Sequence, residues 1–328
     1  MTEPDIAPGD IVDMHAHLYP EGCFDEVLRA RPEFALVRSE RGLSLTCRGS
    51  HTMSAPANTD LDARLGIMDE AGVKVEVLSV GALDTGWAGA ATARLVNDGL
   101  AAACRRHPDR FRFVAALPFT STAALVDELD RATGLGAVGV CITTTINGHT
   151  LDAPELREFW SEAHRRRLLV LVHPTFPIDG PADDHGEYLA VGYLGETAMA
   201  ATKLALGGVL EDCPDARIVW SHCGGGLCMV LDRVDRGYRR YEKCLRPPSE
   251  YLRRCWYDTV TVSGPALDCA RATFGAGRLV YGTDEPHVPD GSRAVLAALR
   301  TRPWPAAELE GVLGRNAHGL LEGPRSGQ

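Results

Sequence analysis

Four strand-like runs in this 328-residue chain end in residues that bind metals or move protons. "IVDMHAH" (11–17) closes with His15 and His17, and "LLVLVHP" (168–174) with His173. "RIVWSHC" (217–223) carries His222, and "RLVYGTD" (278–284) ends at Asp284. Residues two apart on a strand point the same way, so His15 and His17 can meet at one point. Together with His173 and Asp284 they offer three imidazole nitrogens and one carboxylate. Such donors suit one divalent metal ion, Zn2+ first, with Mn2+ or Fe2+ where the site is more open. Each feature alone has a plain alternative: an exposed HxH, a His-Pro strand terminator, an Asp that caps a helix. Their coincidence at strand ends is what points to metal.

His222 is followed by "GGG" (224–226) and then an apolar helix, "LCMVLDRV". Glycines there let backbone approach a ligand closely, and a helix N-terminus favours an anion. A neutral histidine in that place reads as a general acid or base. A fifth ligand and a packed core histidine are its alternatives. The triple glycine is no GxGxxG fingerprint, so it carries no argument for a nucleotide.

The elements that must hold these residues are eight short apolar runs. Besides the four above they are "VKVEVLSV" (73–80), "FRFVAALP" (111–118), "AVGVCITT" (137–144) and "CWYDTVTV" (255–262). Between most of them lie segments of helical character such as "DLDARLGIMDEAG" and "TAALVDELDRATG". Alternation of this kind predicts a parallel sheet with crossover helices, and eight repeats predict an α/β fold, the closed (β/α)8 TIM barrel. In a barrel the C-terminal strand ends ring one mouth, where catalytic residues gather. About 55 residues separate the first two strands, against roughly thirty for an ordinary unit. The excess, 18–59, predicts an insertion of short strands and loop over the barrel mouth. One domain, 1–328, accounts for the chain.

A formal charge of −10 argues against nucleic acid or an anionic membrane surface as partner. The acidic start "MTEPDIAPGD" has no apolar core, which predicts no signal peptide, and no run approaches the roughly 18 apolar residues of a membrane helix. Ten cysteines without a CxxC pair fit a reduced, cytoplasmic setting. The expected partner is a small-molecule substrate.

The chain resembles the amidohydrolase superfamily, in the branch named for aminocarboxymuconate semialdehyde decarboxylase. The matching stretches are "DMHAHLYP", "RLGIMDEAGVKVEVLS", "LVHPTFP", "WSHCGGG", "RPPSEYLRRCWYDT" with "GPAL", "YGTDEPH" and "RNAHGLL". The resemblance implies metal ligands at His15, His17, His173 and Asp284, with water completing the shell. It also implies the acid/base role for His222, with Asp284 aligning the proton path. The activity it implies is non-oxidative decarboxylation of a conjugated or aromatic acid. The same parts would also serve a hydrolase or hydratase acting on an amide, lactone, C–C bond or activated alkene. Members of the branch often dimerise, so a homodimer is expected.

The substrate end departs from the family. The arginine that holds a substrate carboxylate in the nearest decarboxylases aligns near His51-Thr52, where there is none. Arg48 and His51 are the expected substitutes, or an arginine of a second subunit. The usual Tyr-Pro after the aspartate is Glu285-Pro286, which would add a carboxylate near the metal. An expected aromatic platform after the fifth strand is replaced by "PADDHGEYLAVGY", where His185, Tyr188 and Tyr193 are the candidates, Tyr188 foremost.

Overall fold

The computed structural model describes residues 9–30, 34–39, 42–47, 50–52, 60–81, 89–175, 185–288 and 290–322. Eight parallel strands follow one another around a sheet in chain order. They are Ile11–His17, Val73–Ser79, Phe111–Ala115, Gly139–Thr143, Leu169–His173, Arg217–Trp220, Trp256–Asp258 and Leu279–Val280. The eighth meets the first through scattered backbone bonds. Met14 N–H donates to the Tyr281 carbonyl (2.9 Å), Asp284 N–H to the His15 carbonyl (2.8 Å) and His17 N–H to the Glu285 carbonyl (2.7 Å). This is a (β/α)8 barrel, as the alternation predicted. Its last two strands are shorter than the apolar runs suggested. In the seventh, the backbone turns aside after Asp258, whose Oδ1 takes the Val260 N–H (3.0 Å).

Helices Leu61–Ala71, Gly89–Arg106, Thr122–Gly134, Arg157–Arg165, Tyr193–Leu206, Leu227–Gly237, Gly264–Phe274 and Gly291–Arg300 surround the sheet. Their ends follow local chemistry. Asp60 caps the first by accepting from Asp62 N–H (2.9 Å) and Ala63 N–H (3.2 Å), and Gly72 in the left-handed region ends it. The core has two parts. One, with Val12, Met14, Val75, Val77, Leu169, Leu171, Val219 and Val280, fills the barrel. The other lies between sheet and helices and includes Ala16, Leu78, Trp160 and Trp220.

The first strand departs from simple alternation. Asp13 pairs with Glu76 and Ala16 with Leu78, so three steps on one strand meet two on the other. This bulge lets Met14 stay in the barrel core while His15 and His17 still converge above it. Between this strand and the first outer helix lie a helix, Cys23–Ala30, and an antiparallel sheet of Phe34–Ser39, Gly42–Cys47 and Ser50–Thr52. The short strands were anticipated and the helix was not.

Candidate metal centre

Five side chains from four strand ends meet at the C-terminal mouth. His15 Nε2 lies 3.1 Å from His17 Nε2, and His17 Nε2 lies 2.8 Å from Asp284 Oδ1. That same oxygen is 3.5 Å from His15 Nε2 and 3.9 Å from His173 Nε2. Asp284 turns its other oxygen, Oδ2, to His222 Nε2 at 3.3 Å. Donor atoms of His15, His173, His222 and Asp284 all fall within 4.8 Å of one another. His15 and His17 are fully buried and His173 nearly so.

The far nitrogen of each of the first three rings is already engaged. His15 Nδ1 is 2.6 Å from Asp258 Oδ2, His17 Nδ1 is 2.9 Å from Ser79 Oγ, and His173 Nδ1 is 2.6 Å from the Pro174 carbonyl. A proton on Nδ1 leaves Nε2 as a lone pair aimed at the common point. His15 and His17 bring their Nε2 atoms to 3.1 Å, and among the described residues buried His173 Nε2 has no hydrogen-bond partner; a cation at their meeting point would satisfy all three. The donor set therefore fits a divalent ion held by three imidazoles and a carboxylate.

Charge follows the same logic. Burial pushes the Asp284 carboxyl up, but the imidazoles of His17, His173 and His222 outweigh it and hold it well below the usual range. Burial pulls His173 down to about 4 and His17 well below its ordinary value, keeping both neutral. Burial also pulls on His15, yet Asp258 and Asp284 lift it to about 8.

Local backbone makes the convergence feasible. His222 and Asp284 both sit at positive φ, 54° and 62°, a conformation that costs a non-glycine residue on the order of 1–3 kcal/mol. Gly81 (φ +55°) passes so close to His17 that a Cβ there would lie 2.5 Å from the ring. The triple glycine, expected to approach a ligand, approaches protein instead. A Cβ on Gly225 would lie 2.0 Å from the Leu194 carbonyl, and one on Gly224 2.8 Å from the Tyr257 ring.

The proposed substrate residues fare differently. Arg48 lies outside the described residues, and of His51 only the backbone, in strand Ser50–Thr52, is described. Tyr188 opens the turn leading into helix Tyr193–Leu206, its ring 5.8 Å from that of Tyr193. Tyr193 is the aromatic that reaches the centre, 6.1 Å from the His173 ring and 6.4 Å from His222. Glu285 does not join the cluster. Its Oε1 accepts the Ser292 N–H (3.1 Å), and its carboxylate feels buried Arg64, because the residue after Asp284 faces the other side of the barrel wall.

Sequence reading missed three residues. Asp258 and Ser79 orient His15 and His17 from neighbouring strands. His287 lies over His17, with centroids 5.1 Å apart and Nε2 2.8 Å from the Tyr19 hydroxyl. Asp258 and His287 stand in stretches quoted above, and His287 follows Asp284 by three positions. Nothing about their types marks them without the fold.

A closed barrel with three imidazoles and a carboxylate at its C-terminal mouth has the layout of a single-metal enzyme. The amidohydrolase family model matches residues 12–322, and the chain belongs to that family, in its aminocarboxymuconate semialdehyde decarboxylase-like branch. It is 31% identical over 255 residues to a gamma-resorcylate decarboxylase of Rhodococcus jostii, covering 69% of this chain and 77% of that one. It is 28% identical over 241 residues to the 2-amino-3-carboxymuconate-6-semialdehyde decarboxylase of Dictyostelium discoideum, covering 69% and 67%. A dihydroxybenzoic acid decarboxylase from Polaromonas, solved with bound manganese and the inhibitor 2-nitroresorcinol, shares the fold. Its TM-score is 0.74 at 21% identity, over 96% of this chain and 97% of that one.

Proposed function

We propose that this protein is a metal-dependent decarboxylase of an aromatic or conjugated carboxylic acid. The observation that carries the reading is the division of Asp284 between two sets of rings. Oδ1 faces the metal-aimed nitrogens of His15, His17 and His173, whereas Oδ2 faces His222. His15, His17, His173 and Asp284 are the ligands in this reading. A divalent ion held there supplies Lewis-acid polarisation of the substrate's oxygens. His222 delivers a proton to the carbon that bears the carboxylate. The new C–H bond forms there, the C–C bond breaks, and carbon dioxide leaves as conjugation returns the electrons. Asp284 Oδ2 holds the His222 ring toward that carbon. Tyr193 and the ring of His287, which border His173 and His17, are the side chains this reading sets against the substrate. Arg48, His51 and Tyr188 remain the residues proposed to contact the substrate.

Three imidazoles and one carboxylate favour Zn2+, and the manganese of the Polaromonas relative makes Mn2+ the alternative. Cys23, Cys141, Cys213, Cys223, Cys228, Cys244, Cys255 and Cys269 carry free thiols, which supports a cytoplasmic setting. Among the described residues no helix is long and apolar enough to cross a membrane. The test is metal analysis of purified protein, followed by carbon dioxide release from hydroxybenzoates, muconates and heterocyclic carboxylates. Turnover of amides or lactones with no carbon dioxide from any acid would replace this reading with hydrolysis.

A further inference from the structure

The opposite end of the barrel carries a second cavity, of about 460 Å³. Arg167, Arg217, Arg254 and Arg278 line it, against a single carboxylate, Asp215. These residues stand at strand beginnings. Arg217 opens the sixth strand, Arg278 immediately precedes the eighth and Arg167 lies two residues before the fifth. Arg217 and His222 are five residues apart, so this cavity lies about 16 Å from the metal centre at 3.3 Å per strand residue.

The guanidinium groups are braced rather than neutralised. Arg217 donates from Nε to the Arg167 carbonyl (2.6 Å) and from Nη1 to the Leu320 carbonyl (2.5 Å). Arg278 stacks over the Trp256 ring at 4.4 Å, and among the described residues its guanidinium has neither hydrogen bond nor ion pair. The Arg254 guanidinium covers the Tyr251 ring at 5.2 Å and, among the described residues, gives one hydrogen bond, to the Leu210 carbonyl (2.9 Å). Asp215 is shared between Arg167 (4.0 Å) and His164 (3.6 Å). The nearby acids are committed elsewhere, Asp212 to Arg157 (2.7 Å) and Glu211 to Tyr251 (2.5 Å). Burial and then the charge of Arg167 pull Arg217 below the ordinary arginine value, as an excess of positive charge would. This concentration stands on a chain whose formal charge is −10.

We propose that this cavity binds a small organic bisphosphate. Guanidinium groups present planar forks of N–H donors that match phosphate oxygens two at a time. A carboxylate offers only two oxygens, too few for four arginines. One phosphate would leave most of the volume empty, and cavities of roughly 300–1,000 Å³ suit whole small molecules. Leu210, Pro214 and Trp256 supply an apolar wall for a carbon skeleton between the phosphates.

The test is calorimetric titration of the metal-loaded protein with fructose 1,6-bisphosphate, a weak chelator with two separated phosphates, and with inorganic phosphate. One bisphosphate is expected per chain, at least about tenfold tighter than phosphate and weaker as salt rises. Arg254→Gln/Arg278→Gln is expected to weaken binding at least about tenfold with an unchanged melting temperature in the absence of the anion. If that pair unfolds the chain, exposed Arg167→Gln is the second variant, with the same loss expected. Absence of saturable binding, equal affinity for phosphate, or unchanged affinity in a folded variant would overturn the proposal. The last outcome would put the anion at the metal centre. Because the readout is heat of binding, failure here leaves the decarboxylase reading untouched, and the reverse holds too.

Discussion

Asp284 and His222 meet through one carboxylate oxygen, with Oδ2 3.3 Å from Nε2, while the aspartate's other oxygen faces the remaining three histidines. In the proposed arrangement this sets His222 apart from the three histidines assigned to the metal.

His222→Asn is expected to retain its metal and lower kcat by roughly 10²–10⁴-fold, the usual worth of a positioned acid or base. Metal content by elemental analysis and single-turnover rates check this together. A variant that loses metal in step with activity would make His222 a fifth ligand.

Asp258→Asn keeps the shape of the group that holds His15 Nδ1 but removes its charge. Its other oxygen also takes the Cys223 N–H (3.1 Å), tying the ring of His15 to the turn that carries His222. Metal affinity is expected to fall about 10–100-fold, as for other residues that orient a ligand. Competition with a fluorescent chelator measures it.

Chelation should abolish turnover and lower the melting temperature, because it leaves the Nε2 atoms of His15 and His17 facing each other at 3.1 Å. A ligand present at 100 times its dissociation constant stabilises by about 2.7 kcal/mol, which sets the scale of the shift. Adding back Zn2+ or Mn2+ restores both, and the more active ion identifies the metal.

Gly81→Ala places a methyl group 2.5 Å from the His17 ring. It is expected to destabilise by about 1–3 kcal/mol and to lower metal occupancy. Gly72→Ala is the control: its φ is also positive, but nothing lies within 4 Å of the added carbon, so only backbone strain of about 1 kcal/mol applies. Chemical denaturation of the two distinguishes crowding from strain.

Glu76 is buried on the helix side of the barrel wall, opposite Asp13 and 3.6 Å from Arg64 Nε. Burial lifts its carboxyl to about 7 against Arg64's opposing pull. The folded chain thus keeps a proton that the unfolded chain releases near 4.5, and stability falls as pH rises between these values. Glu76→Gln should flatten that fall by on the order of 1–2 kcal/mol, read from denaturation midpoints at pH 4.5 and 7.5 with metal saturating.

The barrel and its strand-end residues were legible because a buried parallel strand is a continuous apolar run, and polar residues at its end stand out. Alternation alone also brought His15 and His17 together, though the strand achieves this through a bulge that keeps Met14 inside. The residues that orient the ligands were hidden for a different reason. Asp258 and Ser79 lie on other strands, so only the closed sheet brings them behind the rings. Glu285 shows the converse error: adjacent in sequence to Asp284, it faces the opposite side. The positive φ of His222 and Asp284 follows from tertiary context, and neither residue type signals it.

The eighth strand is two residues long, and the scattered bonds beyond it tie Tyr281, Asp284 and Glu285 to Met14, His15 and His17. Half of those six residues also belong to the candidate metal centre. The cylinder is thus buckled at its thinnest joint by its own working parts. Wear at that clasp would slacken closure and chemistry in the same motion.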